Sequence, residues 1–71
     1  MKFFQCKVGM FVEHIANGRI GKIVALHPPP VLRIEIRFVI NGRLEKVSDE
    51  RFPPAEYHPL NHPVDITDES E

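Results

Sequence analysis

Residues 32–40 constrain the fold more than any other segment, because apolar and polar side chains alternate along them and most of the apolar ones are β-branched. The sequence there is Leu32, Arg33, Ile34, Glu35, Ile36, Arg37, Phe38, Val39 and Ile40. Such alternation is typical of a strand with one buried face. Asn41-Gly42 follows, the strongest short signal for a two-residue type I′ turn. We therefore predict a hairpin with residues 32–40 and 43–48 as its strands.

The register of this hairpin predicts an irregularity. A simple two-residue turn pairs Val39 with Leu44, which puts Leu44 and Val47 partly out of phase with the apolar face of the preceding strand. One extra residue would restore the phase. We therefore expect a β-bulge beside the Asn41-Gly42 turn.

Two further strands are predicted before this hairpin. Alternating apolar side chains at even positions predict a strand over residues 4–12, and Asn17-Gly18 predicts a turn after it. Residues 19–26 form the second strand, in which Gly21 indicates a bulge or a close backbone approach. The run Pro28-Pro29-Pro30 predicts an extended loop, since prolines lack the donor that an inner strand needs.

After the hairpin, Ser48 to Phe52 carries a capping residue and two acids, which predicts a short 3₁₀ turn ended by Pro53-Pro54. Residues 55–60 either add a fifth strand or wrap around the sheet, with Phe52, Tyr57 and Leu60 as anchors. The stretch from residue 61 is acidic and poor in apolar side chains, so we expect a disordered tail.

Composition fits one small folded domain. The chain has 71 residues, of which 42% are hydrophobic, so it supports a single modest core. A single cysteine, Cys6, excludes an intramolecular disulfide and a paired-cysteine zinc site. The N-terminus has no apolar run of secretory type, and no stretch approaches the roughly 18 apolar residues of a membrane helix. We expect a cytoplasmic location and no cofactor.

Charge is distributed unevenly along the chain. Residues 1–47 contain eight lysines and arginines and three glutamates, a net charge of +5, whereas residues 48–71 contain seven acids and one arginine, a net charge of −6. The body is therefore basic and the C-terminal part acidic.

Two segments carry a family resemblance. Val8-Gly9-Met10-Phe11-Val12-Glu13-His14 and Gly18-Arg19-Ile20-Gly21-Lys22-Ile23-Val24 resemble the KOW and Tudor-like domains of bacterial transcription and repair proteins. The chain looks most like the C-terminal domain of UvrD-type helicases and the CarD-type RNA polymerase-binding module. These families share a Gly-hydrophobic-x-Val-x-His opening and a second strand entered through spaced glycines, here Gly18 and Gly21. The resemblance covers residues 8–52.

The resemblance and the strand pattern together predict an all-β fold, a small five-stranded SH3-like barrel over residues 1–60 with a 3₁₀ turn, followed by a flexible acidic tail over residues 61–71. The resemblance implies a bacterial accessory module that docks on RNA polymerase or on a transcription or repair complex. No nucleophile elbow, phosphate-binding loop or buried carboxylate pair points to catalysis, so we predict a protein that is not an enzyme.

The candidate binding residues are a set of cations on the predicted strands, together with one aromatic side chain on the polar side of the first strand. They are Phe11, Arg19, Lys22, Arg33, Arg37, Arg43 and Lys46. Such a face suits an acidic protein partner around a hydrophobic anchor, or the phosphates of RNA or DNA. It is also the pattern of a solvated sheet face on which Glu35 and Glu45 pair across strands.

Other sites carry less support. Phe3 and Phe11 are out of phase with the core, and an exposed phenylalanine pair is more typical of a protein contact than of base stacking. The histidines His14, His27, His58 and His62 have no metal-binding spacing with each other or with Cys6. Three hypotheses remain open: docking on a protein, direct nucleic-acid binding through the cations, and self-association through unpaired strand edges.

Overall fold

The computed structural model describes residues 1–47, 50–61, 64 and 66. Its strands are β1 (Phe11–His14), β2 (Ile20–His27), β3 (Arg33–Ile40), β4 (Arg43–Glu45) and β5 (Tyr57–Pro59). They form one antiparallel sheet in the order β4-β3-β2-β1-β5. Four strands thus follow as a meander, and β5 returns to pair with β1.

The predicted all-β class is confirmed, and the described residues contain two 3₁₀ helices, Phe3–Gln5 and Pro54–Glu56, with no α-helix. Within the described ranges, no ladder joins the outer strands β4 and β5. Phe52, which precedes β5, pairs with β3, because it exchanges two backbone hydrogen bonds of 2.8 and 2.9 Å with Ile34.

The first strand begins later than predicted. Residues 3–5 form a 3₁₀ helix in place of extended chain, and β1 starts only at Phe11. Two residues, Gly9 and Met10, stand opposite the single residue Ile23: Gly9 N–H donates to the Ile23 carbonyl at 2.8 Å, and Ile23 N–H donates to the Met10 carbonyl at 2.9 Å. This irregularity ends the simple alternation. Phe4 consequently lies in solvent instead of the core.

The hairpin prediction is confirmed, but the bulge beside its turn is wrong. Asn41 and Gly42 both have positive φ, 54° and 79°, as a type I′ turn requires. The register continues without interruption from the pair Ile40 and Arg43 to the pair Val39 and Leu44. No extra residue is needed, because Leu44 has apolar neighbours on the face of the sheet turned away from the core.

The register irregularity of this region lies in β2 instead. Pairing with β3 shifts between Ile23 and Ala25, which leaves Val24 unmatched and exposed. Gly21, by contrast, marks a close approach between backbones. A Cβ added there would stand 2.3 Å from Ile36 Cγ2 and 3.0 Å from the Arg37 carbonyl oxygen, so only glycine fits.

The second 3₁₀ helix also differs from the prediction. It begins at the second residue of the proline pair instead of ending before the pair, and Pro54 occupies its first turn, where a missing N–H costs nothing. Ser48 and Asp49, the predicted start, lie outside the described residues. The fifth strand is confirmed, and Tyr57 anchors it at 1% exposure. The expected disorder of residues 61–71 concerns mainly residues that the structure does not describe.

The core fills one side of the sheet. Its buried members are Cys6, Val12, Ile23, Ile34, Ile36, Phe38 and Tyr57. Met1, Phe3, Met10, Leu26 and Phe52 pack against them. Phe3 thus belongs to the margin of the core and does not form an exposed pair with Phe11.

Candidate interaction face

Strand alternation separates two faces of the sheet. Along β3 the side chains of Ile34, Ile36 and Phe38 are buried in the core, whereas Arg33, Glu35 and Arg37 alternate with them. Successive side chains of a strand point to opposite faces. We call the face that carries Arg37, opposite the core, the outer face.

Three of the predicted binding residues form a line across the outer face. Phe11 on β1 is the register partner of Lys22 on β2, and Lys22 is the partner of Arg37 on β3. The Lys22 ammonium lies 5.8 Å from the centre of the Phe11 ring, within the range of a cation–π contact. Phe11 and Lys22 are half-buried and Arg37 is exposed. We call Phe11, Lys22 and Arg37 the basic row.

An apolar line runs beside the basic row. Val39 pairs with Leu44, and the pairing of Gly21 with Phe38 brings Ile20 next to Val39. These three side chains, which we call the apolar row, are half-buried and do not belong to the core cluster. At the β1 end, Ile20 pairs with Glu13, whose carboxylate lies 3.1 Å from His58 Nε2. The outer face therefore combines cations, an aromatic ring and aliphatic side chains.

The other predicted cations lie apart from the basic row. Arg33 shares the outer face, as expected, but its guanidinium donates to the carbonyls of Val31 and Leu32 at 3.4 and 3.2 Å, at the triproline loop. Between Arg33 and Arg37, Glu35 lies 2.5 Å from His27 Nε2. The acid between the two arginines thus pairs with a histidine of β2.

Arg19 and Arg43 do not join the outer face as the sequence suggested. Arg43 pairs with Ile40, which has the parity of the core-facing residues of β3, so alternation assigns Arg43 to the core side. Arg19 follows the β1–β2 turn and lines a groove of about 430 Å³ together with His14, Phe52 and Tyr57. The register, which sequence reasoning did not resolve, separates these two cations from the basic row.

Lys46 and Arg37 line the same small hollow next to β3. The hollow, of about 160 Å³, is lined by Val24, Glu35, Ile36, Arg37, Lys46, Glu50 and Arg51. Three cations and two acids therefore meet at this border of the outer face. Sequence reasoning missed Arg51, because it sits in the acidic half of the chain and no strand pattern connects it to Arg37.

Each of the described histidines faces a glutamate. His14 Nε2 lies 3.4 Å from the Glu56 carboxylate, while His27 and His58 face Glu35 and Glu13. Among the described residues no group of three His, Cys, Asp or Glu side chains is placed to hold a metal ion. His62, the fourth predicted histidine, lies outside them. The three described histidines link β1 to the second 3₁₀ helix, β2 to β3, and β5 to β1.

Tyr57 is the most completely buried titratable group of the core. Its ring makes edge-to-face contacts with His14, at 4.8 Å between ring centres, and with Phe52, at 6.1 Å. Burial is the main cause that raises the pKa of Tyr57 to about 12, and the nearby charge of Glu56 adds to the rise. The phenol is therefore neutral across the physiological range. Burial likewise raises the pKa of the Cys6 thiol.

Comparison of the chain with protein-family models, with curated proteins and with solved structures finds no match. The part of the chain that the structure describes contains no helix with the length and apolarity that a membrane crossing requires. The fold and the site thus define a small all-β domain with a mixed basic and apolar face opposite its core.

Proposed function

We propose that this domain is a protein-interaction module without catalytic activity, which presents its outer face to an acidic protein surface containing apolar anchors. The observation that carries the proposal is the line Phe11–Lys22–Arg37 beside the apolar row. An aromatic side chain next to cations and half-buried aliphatic groups has the composition of binding hot spots.

The geometry favours a large partner surface over a small ligand. The two rows lie side by side on one face of neighbouring strands, so the face offers area and little depth. A flat face of this kind binds through a few central anchors surrounded by charges that steer association. The resemblance to KOW and Tudor-like domains suggests RNA polymerase or a DNA-repair complex as the partner.

Direct binding of RNA or DNA is the second candidate, and the contact of Lys22 with Phe11 favours it. A cation beside an aromatic ring suits a phosphate and a stacked base. The two candidates differ in salt dependence, because neutralised phosphates release counterions and affinity then falls steeply with salt.

An affinity pull-down from bacterial lysate with the tagged full chain, with and without nuclease, separates the two. Recovery of an RNA polymerase or repair subunit that survives nuclease supports protein docking. Capture that disappears with nuclease, together with a steep loss of oligonucleotide affinity as salt rises, transfers the function to nucleic acid and overturns the first proposal.

Point variants then locate the contact. Arg37→Ala removes the exposed cation of the basic row, and we expect partner affinity to fall about 5- to 30-fold. Arg33→Ala is the matched control, because it removes an exposed arginine of the same strand and face that lies at the triproline loop. Equal losses for both variants, or no loss for either, would exclude the basic row as the contact.

A further inference from the structure

The chain leaves the sheet at the border of the outer face. Beyond Pro59, the last residue of β5, the Leu60 N–H donates to the Phe11 carbonyl at 3.1 Å. The pairing of Val12 with Pro59 places Leu60 in register with Phe11, at the end of the basic row. Whatever follows Leu60 therefore starts next to the proposed binding face.

The segment that follows has a composition complementary to that face. Residues 61–71 contain four acids and no lysine or arginine: Asp65, Asp68, Glu69 and Glu71. Their two large aliphatic side chains are Val64 and Ile66. Both are half-buried although neither belongs to a strand, so other atoms of the protein cover part of each. The acids of this segment are opposite in charge to the basic row, and its two aliphatic side chains suit the apolar row.

The segment is also long enough to cross the sheet. Five strands spaced about 4.8 Å apart place β4 about 19 Å from β5. Eleven residues in extended conformation reach about 36 Å. Residues 61–71 can therefore extend from Leu60 across the whole outer face.

We propose that residues 61–71 lie across the outer face of their own sheet, with Val64 and Ile66 against the apolar row and the acidic side chains near Lys22 and Arg37. In this position the tail imitates the acidic partner and competes with it. The competition rests on the proposed function, whereas the position of the tail does not. Tethering keeps the tail at a local concentration on the order of millimolar, so even weak contacts populate the covered state.

A spin label tests the position of the tail directly. Ser70→Cys in the full chain, labelled in the folded protein where Cys6 is only 5% exposed, carries the probe. We expect paramagnetic broadening of the amide signals of Arg37, Val39 and Leu44, and much less at Val31, in the loop at the opposite end of β3. Unsubstituted chain treated with the same reagent controls for labelling of Cys6.

Two controls decide what holds the tail. The variant D65N/D68N/E69Q/E71Q removes the acids, and high salt screens them, so both should relieve the broadening. Glu45→Gln, a neutralisation on the core side of β4, should leave it unchanged. Broadening that is absent, or that is uniform over the surface, overturns the proposal.

Mixing spin-labelled chain with isotope-labelled chain that lacks the label distinguishes a second copy from the same chain. Broadening in the mixed sample would assign the tail to the face of another molecule and overturn the intramolecular position. The intramolecular position is supported if the mixed sample shows no broadening while a chain that carries both the spin label and the isotope label does.

Competition is measured with a fluorescent peptide of the chain's own residues 61–71 as an acidic probe. We expect it to bind the neutralised variant about two- to tenfold more tightly than the unsubstituted chain, because a covered face lowers apparent affinity by the fraction of uncovered molecules. Equal affinities would refute the competition. If the lysate pull-down fails and the spin-label result is positive, the proposed partner is rejected and the position of the tail is kept. If the pull-down succeeds and the spin-label result is negative, only the position of the tail is rejected.

Discussion

Titration of Tyr57 provides the sharpest test of the packing. Tyr57 is 1% exposed, and burial raises its pKa from the ordinary value of 10.0 to about 12. The neutral form is therefore favoured in the folded state. Its contribution to stability is complete below pH 10 and is lost as the pH rises from 10 to about 12. A difference of about two in pKa corresponds to roughly 3 kcal/mol.

This loss is large for a domain of 71 residues, whose total free energy of unfolding is on the order of 5 kcal/mol. The perturbation is the pH alone, and the assay is urea denaturation followed by circular dichroism at several values between pH 8 and pH 12. The chain has one tyrosine and no tryptophan, so its tyrosinate absorbance reports Tyr57 without interference.

Tyr57→Phe is the matched control. Phenylalanine keeps the ring that contacts His14 and Phe52, but it has no proton to lose. Other effects of high pH act on both proteins alike, so the decisive quantity is the difference between them: only the unsubstituted chain should lose the additional stability of roughly 3 kcal/mol. Parallel loss of stability in both proteins, or tyrosinate absorbance that appears near pH 10 while the sheet is intact, would refute the burial argument.

The remaining predictions concern the core. Gly21→Ala should cost at least about 1–3 kcal/mol in urea denaturation, because its Cβ meets Ile36 and the Arg37 backbone; unchanged stability would contradict the close approach. Ile23→Ala should cost about 2–5 kcal/mol, whereas Val24→Ala, at the exposed neighbouring position, should cost far less; similar costs would contradict the register. Cys6 should react with iodoacetamide much more slowly in the folded than in the urea-unfolded chain, since it is buried and its thiol pKa is raised. Equal rates would contradict its burial.

The sequence predicted the local features that short-range chemistry controls. Alternation defined β3 almost to the residue, and Asn41-Gly42 specified its turn, because positive φ at two successive positions suits few other residue pairs. Prediction from alternation failed where a bulge interrupts the two-residue repeat of apolar and polar side chains. The pairing of Gly9 and Met10 with Ile23 depends on a partner distant in sequence, so the apparent strand over residues 4–12 misled the assignment of Phe3 and Phe4.

The candidate site divides in the same way. Alternation alone placed Arg33 and Arg37 on one face. It did not assign Arg43 to the core side, because the expected bulge beside the Asn41-Gly42 turn does not form. It did not bring Arg51 to the hollow beside Arg37, because that placement depends on how distant segments are aligned.

The amino-acid sequence by itself determined the all-β class, the central hairpin and the unequal charge of the two parts of the chain, since these follow from residue periodicity, turn chemistry and composition. Only the tertiary structure decided which side chains share a face. A shift of one residue in register moves every side chain of a strand to the opposite face. The basic row therefore exists because β1, β2 and β3 pair in one particular alignment, which close packing at Gly21 and burial of Val12, Ile23 and Ile36 select.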